Sequence, residues 1–504
     1  MHEELMDAIR AATEQADASV TAPRARFAML VRPVDDPLQK RAEIESALAP
    51  LGATVRPLSP LETDVLVAAF PDRVFALDDA SAFAAAYLLQ DVFDLESAEP
   101  DLPTNLFPEI DQPASQKDAA REGVAKLCFT EAQRGLDPHW ALDAMRVKEA
   151  WAFSVASGRP DRGRGVIIAQ PDTGVIDHEE LRDVTRVDPR DVLDDDNDPT
   201  DPLEEFGNPG HGTGTGSVVV SREAGTIAGS APLARHMPIR AIKSVLRITQ
   251  VSVAEAVEWA VDHGAHVITM SLGGIPSFAL HRAIRRAVAA DVIVLAAAGN
   301  CVRAVVWPAR YEDCLAVAGV NSDDQPWLGT CRGSSVDFSA PAENVYRARV
   351  GTPTVGQGQG TSFAVALTAG VAALWLAHHG RPNLIGAARA RRETLQAMFR
   401  RLVRATARRP RGWDSFNMGA GIVDARALLQ APLDLNRGLE SAPQHDSAVA
   451  RSAIAVQSLA LERIGEAAYD ADIDWNRHGA EIATLLLRSD GETDMLARFQ
   501  GGAR

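Results

Sequence analysis

The pattern of hydrophobic and polar positions first predicts a small α/β unit near the N-terminus. Strands are favoured for FAMLVR, ATVRPL and DVLVAAF, helices for DPLQKRAEIESALAPLG and DASAFAAAYLLQ, and DVFDLESAEP closes the set. The order strand–helix–strand–strand–helix–strand is that of a split-βαβ sandwich. Residues 1–98 are therefore predicted to form a small α+β domain.

Residues 99–136 have a different composition. Prolines recur among polar residues at Pro100, Pro103, Pro108 and Pro113. Such spacing is typical of a linker, with room for one short helix around residues 117–127.

Residues 137–432 alternate between apolar runs and helical patterns. The runs GVIIAQP, HMPIRAI, HVITMSL, VIVLAAAG, CLAVAGV and VDFSAP favour strands, and VSVAEAVEWAVDHG and FALHRAIRRAVAAD favour helices. Nearly continuous apolar strands between helices indicate a mostly parallel sheet that is covered on both faces. In such sheets the functional residues collect at the carboxyl ends of the strands. Residues 433–504 are polar and alanine-rich, and stretches such as SAVARSAIAVQSLALERIGEA predict a helical extension.

Three polar residues stand where that rule places a site. Asp172 ends the first apolar run of the large region, His211 lies in the glycine-rich stretch NPGHGTGTGS, and Ser362 begins a long apolar helix. An acid, a base and a hydroxyl are what nucleophilic acyl transfer requires, because the serine must lose its proton to attack. Asn300 follows a fourth strand and offers an amide donor to an oxyanion.

Each of these residues has an ordinary alternative role. Asp172 suits a turn, with Asp177 as a rival for its role, His211 suits a core, and Ser362 suits a helix N-cap. The glycines around His211 could also cradle a phosphate, but such loops need a lysine or a downstream acid that GSVVVSREAG does not supply.

The motifs together resemble the subtilisin family of serine endopeptidases. The matching text is DTGV at Asp172, HGTGTGS at His211, SLGG at Ser271, AAGN at Asn300 and GTSFA at Ser362. The order Asp, His, Ser is that of the family. The resemblance implies a three-layer subtilisin-like fold in which Asp172, His211 and Ser362 form the triad and Asn300 contributes to the oxyanion hole.

The resemblance also assigns substrate-binding positions. Backbone groups of Ser271, Leu272 and Gly273 would pair with an extended polypeptide, and Ala297 and Ala298 would form one wall of the first specificity pocket. The opposing wall stays open. One departure is Ala366, where the family usually has proline.

The N-terminal unit resembles the propeptide of the family, which implies a zymogen that is cleaved within residues 99–136. The same motifs leave two other functions open. One is an inactive peptidase fold that binds peptides or partners, and the other is a peptide ligase or macrocyclase that transfers the acyl group to an amine.

Net charge, apolar runs and cysteine count restrict the possible partners and cellular location of the protein. The 504 residues carry a net charge of −17, which disfavours nucleic acid and anionic membranes as partners. No apolar run is long enough for a membrane span, and the N-terminus lacks the apolar segment of a signal peptide. Four cysteines are too few for a disulfide framework, so reduced thiols in a cytoplasmic protein are expected, although one bridge among Cys301, Cys314 and Cys331 is conceivable.

One stretch bears on cofactors. Residues 172–205 contain fourteen acidic and three basic residues, including DDDNDPTD. Clustered carboxylates suit Ca²⁺, but the spacing matches no defined calcium loop and a solvated acidic insertion is the alternative. No organic cofactor is implied, and the oligomeric state stays open.

Overall fold

The computed structural model describes residues 2–16, 23–76, 79–103, 128, 130–203, 208–223, 225–245, 248–302, 304–435, 448–465, 468 and 473–488. The short helix predicted around residues 117–127 lies outside this described part. The N-terminal elements are α1 (His2–Ala12), β1 (Thr13–Gln15), β2 (Arg24–Leu30), α2 (Pro37–Leu48), β3 (Thr54–Pro57), β4 (Val65–Phe75), α3 (Asp79–Val92) and β5 (Ser97–Pro100).

These elements form the predicted split-βαβ unit with an additional helix and short strand in front of it. The long strand β4 pairs with β2 on one side and with β3 and β1 on the other, and β2 pairs with β5. Every pairing is antiparallel. Strand β5 continues to Pro100, so the predicted domain boundary at residue 98 falls inside this strand.

The large region opens with α4 (Trp140–Ala144) and α5 (Val147–Ala156) and then builds a seven-stranded sheet. Its strands are β6 (Ile167–Asp172), β7 (Arg190–Asp191), β8 (Arg235–Arg240), β9 (Val267–Met270), β10 (Ile293–Ala297), β11 (Leu315–Val320) and β12 (Phe338–Pro341). The order across the sheet is β12-β11-β10-β9-β6-β8-β7, and all pairings are parallel. The α/β class and the parallel sheet predicted from the apolar runs are therefore confirmed.

Helices cover both faces of this sheet. They are α6 (His211–Val220), α7 (Gln250–Asp262), α8 (Phe278–Ala289), α9 (Thr361–His379), α10 (Arg381–Ala390), α11 (Leu395–Thr406), α12 (Ser415–Met418) and α13 (Ala425–Gln430), and a hairpin of β13 (Val345–Ala348) and β14 (Val355–Gly358) precedes α9. Among the described helices, α9 alone is long and apolar enough to cross a membrane, and its apolar stretch is completely buried inside the protein.

In the described part of the C-terminal extension, two helices, α14 (Ala448–Ile464) and α15 (Trp475–Arg488), pack against each other. One continuous apolar cluster includes Phe27 of the N-terminal domain, Ile284 of α8 and Leu459 of α14. The N-terminal domain, the α7–α8 face of the sheet and the extension thus share a core.

Candidate active site

Asp172 lies at the carboxyl end of β6 and is 1% exposed. Its Oδ1 accepts hydrogen bonds from His211 Nδ1 at 2.7 Å and from the Thr173 backbone N–H at 2.7 Å. Its Oδ2 accepts a hydrogen bond from the Thr215 hydroxyl at 3.1 Å. A buried carboxylate held at both oxygens orients the imidazole, which the sequence motif had predicted.

His211 is the first residue of α6, and the glycine after it allows this helix to approach the end of β6. A Cβ atom at Gly212 would overlap the carbonyl oxygen of Gly174 and lie 3.2 Å from Cβ of Asp172. The glycine-rich stretch therefore permits close packing beside Asp172, which favours the triad interpretation over a phosphate cradle.

Ser362 is the second residue of α9. Helices α6 and α9 run side by side in the same direction, because they share neighbours at two levels. Near the helix starts, an added Cβ at Gly214 of α6 would lie 3.2 Å from Arg347 Cδ, and one at Gly358, just before α9, would lie 3.1 Å from Arg347 Nε. Further along, Val218 of α6 accepts a hydrogen bond from the Ser230 N–H, and an added Cβ at Gly370 of α9 would overlap the Ser230 hydroxyl. Their first turns, which carry His211 and Ser362, therefore lie at the same end of the molecule.

The Ser362 hydroxyl donates a hydrogen bond to the carbonyl oxygen of Ser271 at 3.3 Å, and the Ser271 hydroxyl donates to the carbonyl oxygen of Ser362 at 2.9 Å. This pair of hydrogen bonds ties the start of α9 to the segment after β9.

Asn300 follows β10 and is fixed by the residue before Ser362. Its Oδ1 accepts hydrogen bonds from the Thr361 backbone N–H at 2.9 Å and from the Thr361 hydroxyl at 2.8 Å. Because Oδ1 is occupied in this way, Nδ2 faces Gly360, where it lies 3.3 Å from the position of an added Cβ. Gly360 has a φ of +154° and leaves this space open, beside the Ser362 hydroxyl, for an oxyanion.

The predicted substrate positions lie on adjoining segments. Ser271, Leu272 and Gly273 directly follow β9, and Ala297 ends β10 with Ala298 after it. The segment before a cis Trp307–Pro308 bond joins these two stretches through backbone hydrogen bonds. Val306 N–H donates to the Ala298 carbonyl at 3.1 Å, and Gly274 N–H donates to the Trp307 carbonyl at 2.7 Å. Arg303, which follows Asn300 by three positions, lies outside the described residues.

A buried hydrogen-bond network behind the site was not predicted from the sequence. The Gln170 amide donates to Thr215 Oγ1 at 2.7 Å and to the Gly212 carbonyl at 2.9 Å, and its Oε1 lies 2.7 Å from His236 Nε2. Burial, reinforced by Arg186, lowers the pKa of His236 to about 3, although Asp172 opposes the shift. His236 is therefore neutral near pH 7 and donates through Nε2 to Gln170.

Several described carboxylates of the acidic stretch form ion pairs and hydrogen bonds with other residues of the protein. Asp191 and Asp194 pair with Arg240 at 2.5 and 2.6 Å, and Asp201 accepts from the Thr173 hydroxyl at 2.6 Å and from the Gly210 N–H at 2.9 Å. Within the described ranges, no group of three or more His, Cys, Asp or Glu side chains has the arrangement of a metal site.

The N-terminal domain docks on the first turns of two helices beside the site. Glu99 accepts hydrogen bonds from the Ser277 hydroxyl at 2.5 Å and the Phe278 N–H at 3.0 Å, and Asp101 accepts from the Val251 N–H at 3.0 Å. Both carboxyl groups thus satisfy first-turn N–H groups that have no partner within their own helix. Ser271–Gly274 are buried in the intact chain.

All four cysteines are free thiols, and the bridge considered among Cys301, Cys314 and Cys331 is not formed. Burial raises the pKa of Cys331 to about 12 and, together with the adjacent Cys128, raises the pKa of Cys301. Such thiols are weak nucleophiles at neutral pH.

Sequence comparison identifies relatives that cover the large region. Thermitase of Thermoactinomyces vulgaris is 37% identical over 254 residues, which cover 49% of this chain and 86% of that protein. Subtilisin BL of Lederbergia lenta is 32% identical over 222 residues, which cover 44% of this chain and 79% of that protein.

Structural comparison extends the likeness in fold beyond that region. The crystal structure of fervidolysin from Fervidobacterium pennivorans, described as a keratinolytic enzyme related to subtilisin, matches 84% of this chain and 64% of its own with a TM-score of 0.60 and 21% identity. The model of the Subtilase family matches residues 163–421, about half of the chain. The chain therefore belongs to the Subtilase family of serine proteases.

Proposed function

We propose that the chain is a serine endopeptidase in which Ser362 is the nucleophile, His211 the general base and Asp172 the residue that orients His211. The observation that carries the proposal is the 2.7 Å hydrogen bond between Asp172 and His211 at the start of α6, beside the parallel helix that begins with Ser362. Asp172 accepts from Nδ1, which leaves Nε2 of His211 to take the serine proton.

In the proposed reaction the Ser362 oxygen attacks the carbonyl carbon of the scissile peptide bond, and His211 takes the hydroxyl proton. The negative charge that develops on the carbonyl oxygen is stabilised by the Asn300 Nδ2 amide and the Ser362 backbone N–H at the start of α9. His211 then returns the proton to the leaving amine. Water attacks the acyl-enzyme by the same route and frees Ser362.

The substrate side of the proposal uses the segment after β9. An extended polypeptide would pair with backbone groups of Ser271, Leu272 and Gly273, and its side chain would enter the space between Ala297 and the Val306–Trp307 segment. We further propose that the N-terminal domain is an inhibitory prodomain. The support is that Ser271–Gly274 are buried in the intact chain while Glu99 and Asp101 cap the neighbouring helices.

Labelling with a fluorophosphonate probe tests the catalytic proposal. The experiment compares the wild type with Ser362→Ala and with Ser334→Ala, an exposed serine that serves as the matched control. We expect labelling of the wild type and Ser334→Ala after cleavage of the linker and removal of the N-terminal domain, and none of Ser362→Ala. A wild-type chain freed of its N-terminal domain that remains unlabelled contradicts the proposal.

Digestion of a peptide library by the labelled form then identifies the reaction. Free carboxylate and amine termini indicate hydrolysis. New peptide bonds to added amines would instead indicate acyl transfer, the activity of a ligase or macrocyclase.

A further inference from the structure

We propose that the C-terminal helix pair α14–α15 is a second docking surface for the N-terminal domain, and that it retains this domain on the peptidase after the linker is cut. The proposal rests on the function proposed above only in treating the N-terminal domain as an inhibitor. It assigns a partner to the extension: the N-terminal domain of the same chain.

The extension contacts the N-terminal domain through one turn of α15. Arg477 forms a two-point ion pair with Asp91 at 2.7 and 2.8 Å, and its guanidinium stands 5.2 Å from the centre of the Tyr87 ring. The Tyr87 hydroxyl donates to Glu481 at 2.7 Å, and His478 packs edge-on against the same ring at 4.8 Å. Tyr87 and Asp91 lie four residues apart on α3 and thus share one face of it.

The extension is anchored to the peptidase domain through α14. Arg310, which lies between β10 and β11, has a side chain that is 1% exposed and pairs with Glu462 at 2.7 Å. The same guanidinium donates to the Ala455 carbonyl at 3.3 Å and to the Ser458 hydroxyl at 3.4 Å. A buried arginine with three partners on one helix fixes that helix firmly.

The two contact regions meet at the place where Glu99 caps α8. Phe83 of α3, Phe278 of α8 and Trp475 of α15 line one small cavity together with Val456 of α14 and Glu99 itself. Both helices of the extension bury apolar side chains in the shared core, among them Leu459 and Ile482. The N-terminal domain is therefore held on one side by α7 and α8 and on another by α15.

The contacts with the extension should slow the release of the N-terminal domain. An N-terminal domain freed by a cut in the linker after Asp101 would have to leave the helix caps and the extension together. Because the extension is part of the peptidase chain, its contacts act as an intramolecular second site that slows dissociation. Loss of the α15 contacts would raise the release rate, since changes within one interface act mostly on dissociation.

Release of the N-terminal domain can be measured without catalysis. The full chain carrying Ser362→Ala is nicked by limited trypsin treatment, for which the linker offers Lys117, Arg121 and Lys126. Dissociation of the N-terminal fragment is then followed by gel filtration and native mass spectrometry. We expect Arg477→Glu and Tyr87→Phe to accelerate release, and for Arg477→Glu by about tenfold or more, because two charged hydrogen bonds to Asp91 become a repulsion.

Two further variants control for misfolding of the extension and for the loss of an unrelated ion pair. Arg477→Glu combined with Asp91→Arg restores opposite charges and should restore slow release, which a misfolded extension would not do. Arg389→Glu breaks an exposed ion pair with Asp291 at 3.1 Å elsewhere on the peptidase domain and should leave release unchanged. Unchanged release in both Arg477→Glu and Tyr87→Phe overturns the proposal. Fluorophosphonate labelling is independent of this result, so failure of the catalytic proposal would be recognised separately.

Discussion

Thr215 donates a hydrogen bond at 3.1 Å to Oδ2 of Asp172, the carboxylate oxygen that His211 does not use. Thr215 lies on α6 one turn after His211, so one helix carries both the imidazole and a donor to its partner carboxylate. Its hydroxyl oxygen accepts from the Gln170 amide, which directs its single proton away from Gln170, toward Asp172 and the His211 carbonyl. Gln170 and Thr215 thus position Asp172 from behind.

Replacement of Thr215 by valine tests this role. The change keeps the shape of the side chain and removes the donor, so we expect kcat to fall about tenfold with KM unchanged, the effect of one lost hydrogen bond to a charged group.

Thr215→Ser is the matched control, because it keeps the hydroxyl and should retain wild-type kinetics. Equal kcat for the valine variant and the wild type would show that the hydroxyl does not position Asp172.

Asn300 offers a second test, of the oxyanion hole. In Asn300→Asp the side chain keeps its shape and can still accept from Thr361, but a negative charge replaces the Nδ2 donor. We expect kcat to fall by at least the 10²–10³-fold that removal of one oxyanion donor costs in a subtilisin, with little change in KM. Steady-state kinetics of Asn300→Asp and Asn300→Ala measure the loss, and a kcat within threefold of wild type in both would place the oxyanion elsewhere.

The parallel sheet and the candidate site residues could be predicted from the sequence because both depend on local patterns. Strands β6, β9 and β10 are continuous apolar runs, and Asp172 and Asn300 stand directly after such runs, where a parallel sheet collects its functional groups. The order of the motifs along the chain then identified His211 and Ser362 as the other two candidate triad residues.

Other features depend on partners that are distant in sequence. Gln170 appears as a polar interruption in a strand, and nothing local shows that it contacts His236, 66 residues away. The hydrogen bond from the Val306 N–H to the Ala298 carbonyl likewise joins residues that are not neighbours in sequence. The β13–β14 hairpin was also missed, since VGQG has low strand propensity and its pairing depends on the partner strand.

The glycine after His211 leads to a prediction of stability. In Gly212→Ala the new methyl group would overlap the Gly174 carbonyl oxygen, so we expect a loss of about 1–3 kcal/mol in the free energy of unfolding and a displaced His211 with reduced kcat. Gly386→Ala is the matched control. Gly386 lies within helix α10 with nothing within 4 Å of an added Cβ, and alanine there should stabilise the protein by about 0.5–1 kcal/mol. Thermal and urea unfolding of both variants measure the difference, and equal effects would show that the helix start is not tightly packed.

The docking of the N-terminal domain should depend on pH through Glu99. Burial raises the pKa of Glu99 to about 7, and Asp101 adds to the shift, while hydrogen bonds from Ser277, Phe278 and Ala279 oppose it. A carboxyl whose pKa is higher in the docked state stabilises docking fully below its ordinary pKa, and this stabilisation is lost as the pH rises through about 7. Glu258, which faces Ser59 of the N-terminal domain, has its pKa raised to about 7, also mainly by burial, and acts in the same direction. We therefore expect the nicked Ser362→Ala chain to release its N-terminal domain about tenfold or more faster at pH 8.5 than at pH 5.5.

The control is Glu99→Gln, which keeps the size of the side chain and cannot ionise. In this variant the pH dependence of release should be weaker. Release that is equally pH-dependent in Glu99→Gln and in the parent chain would assign the effect to other groups.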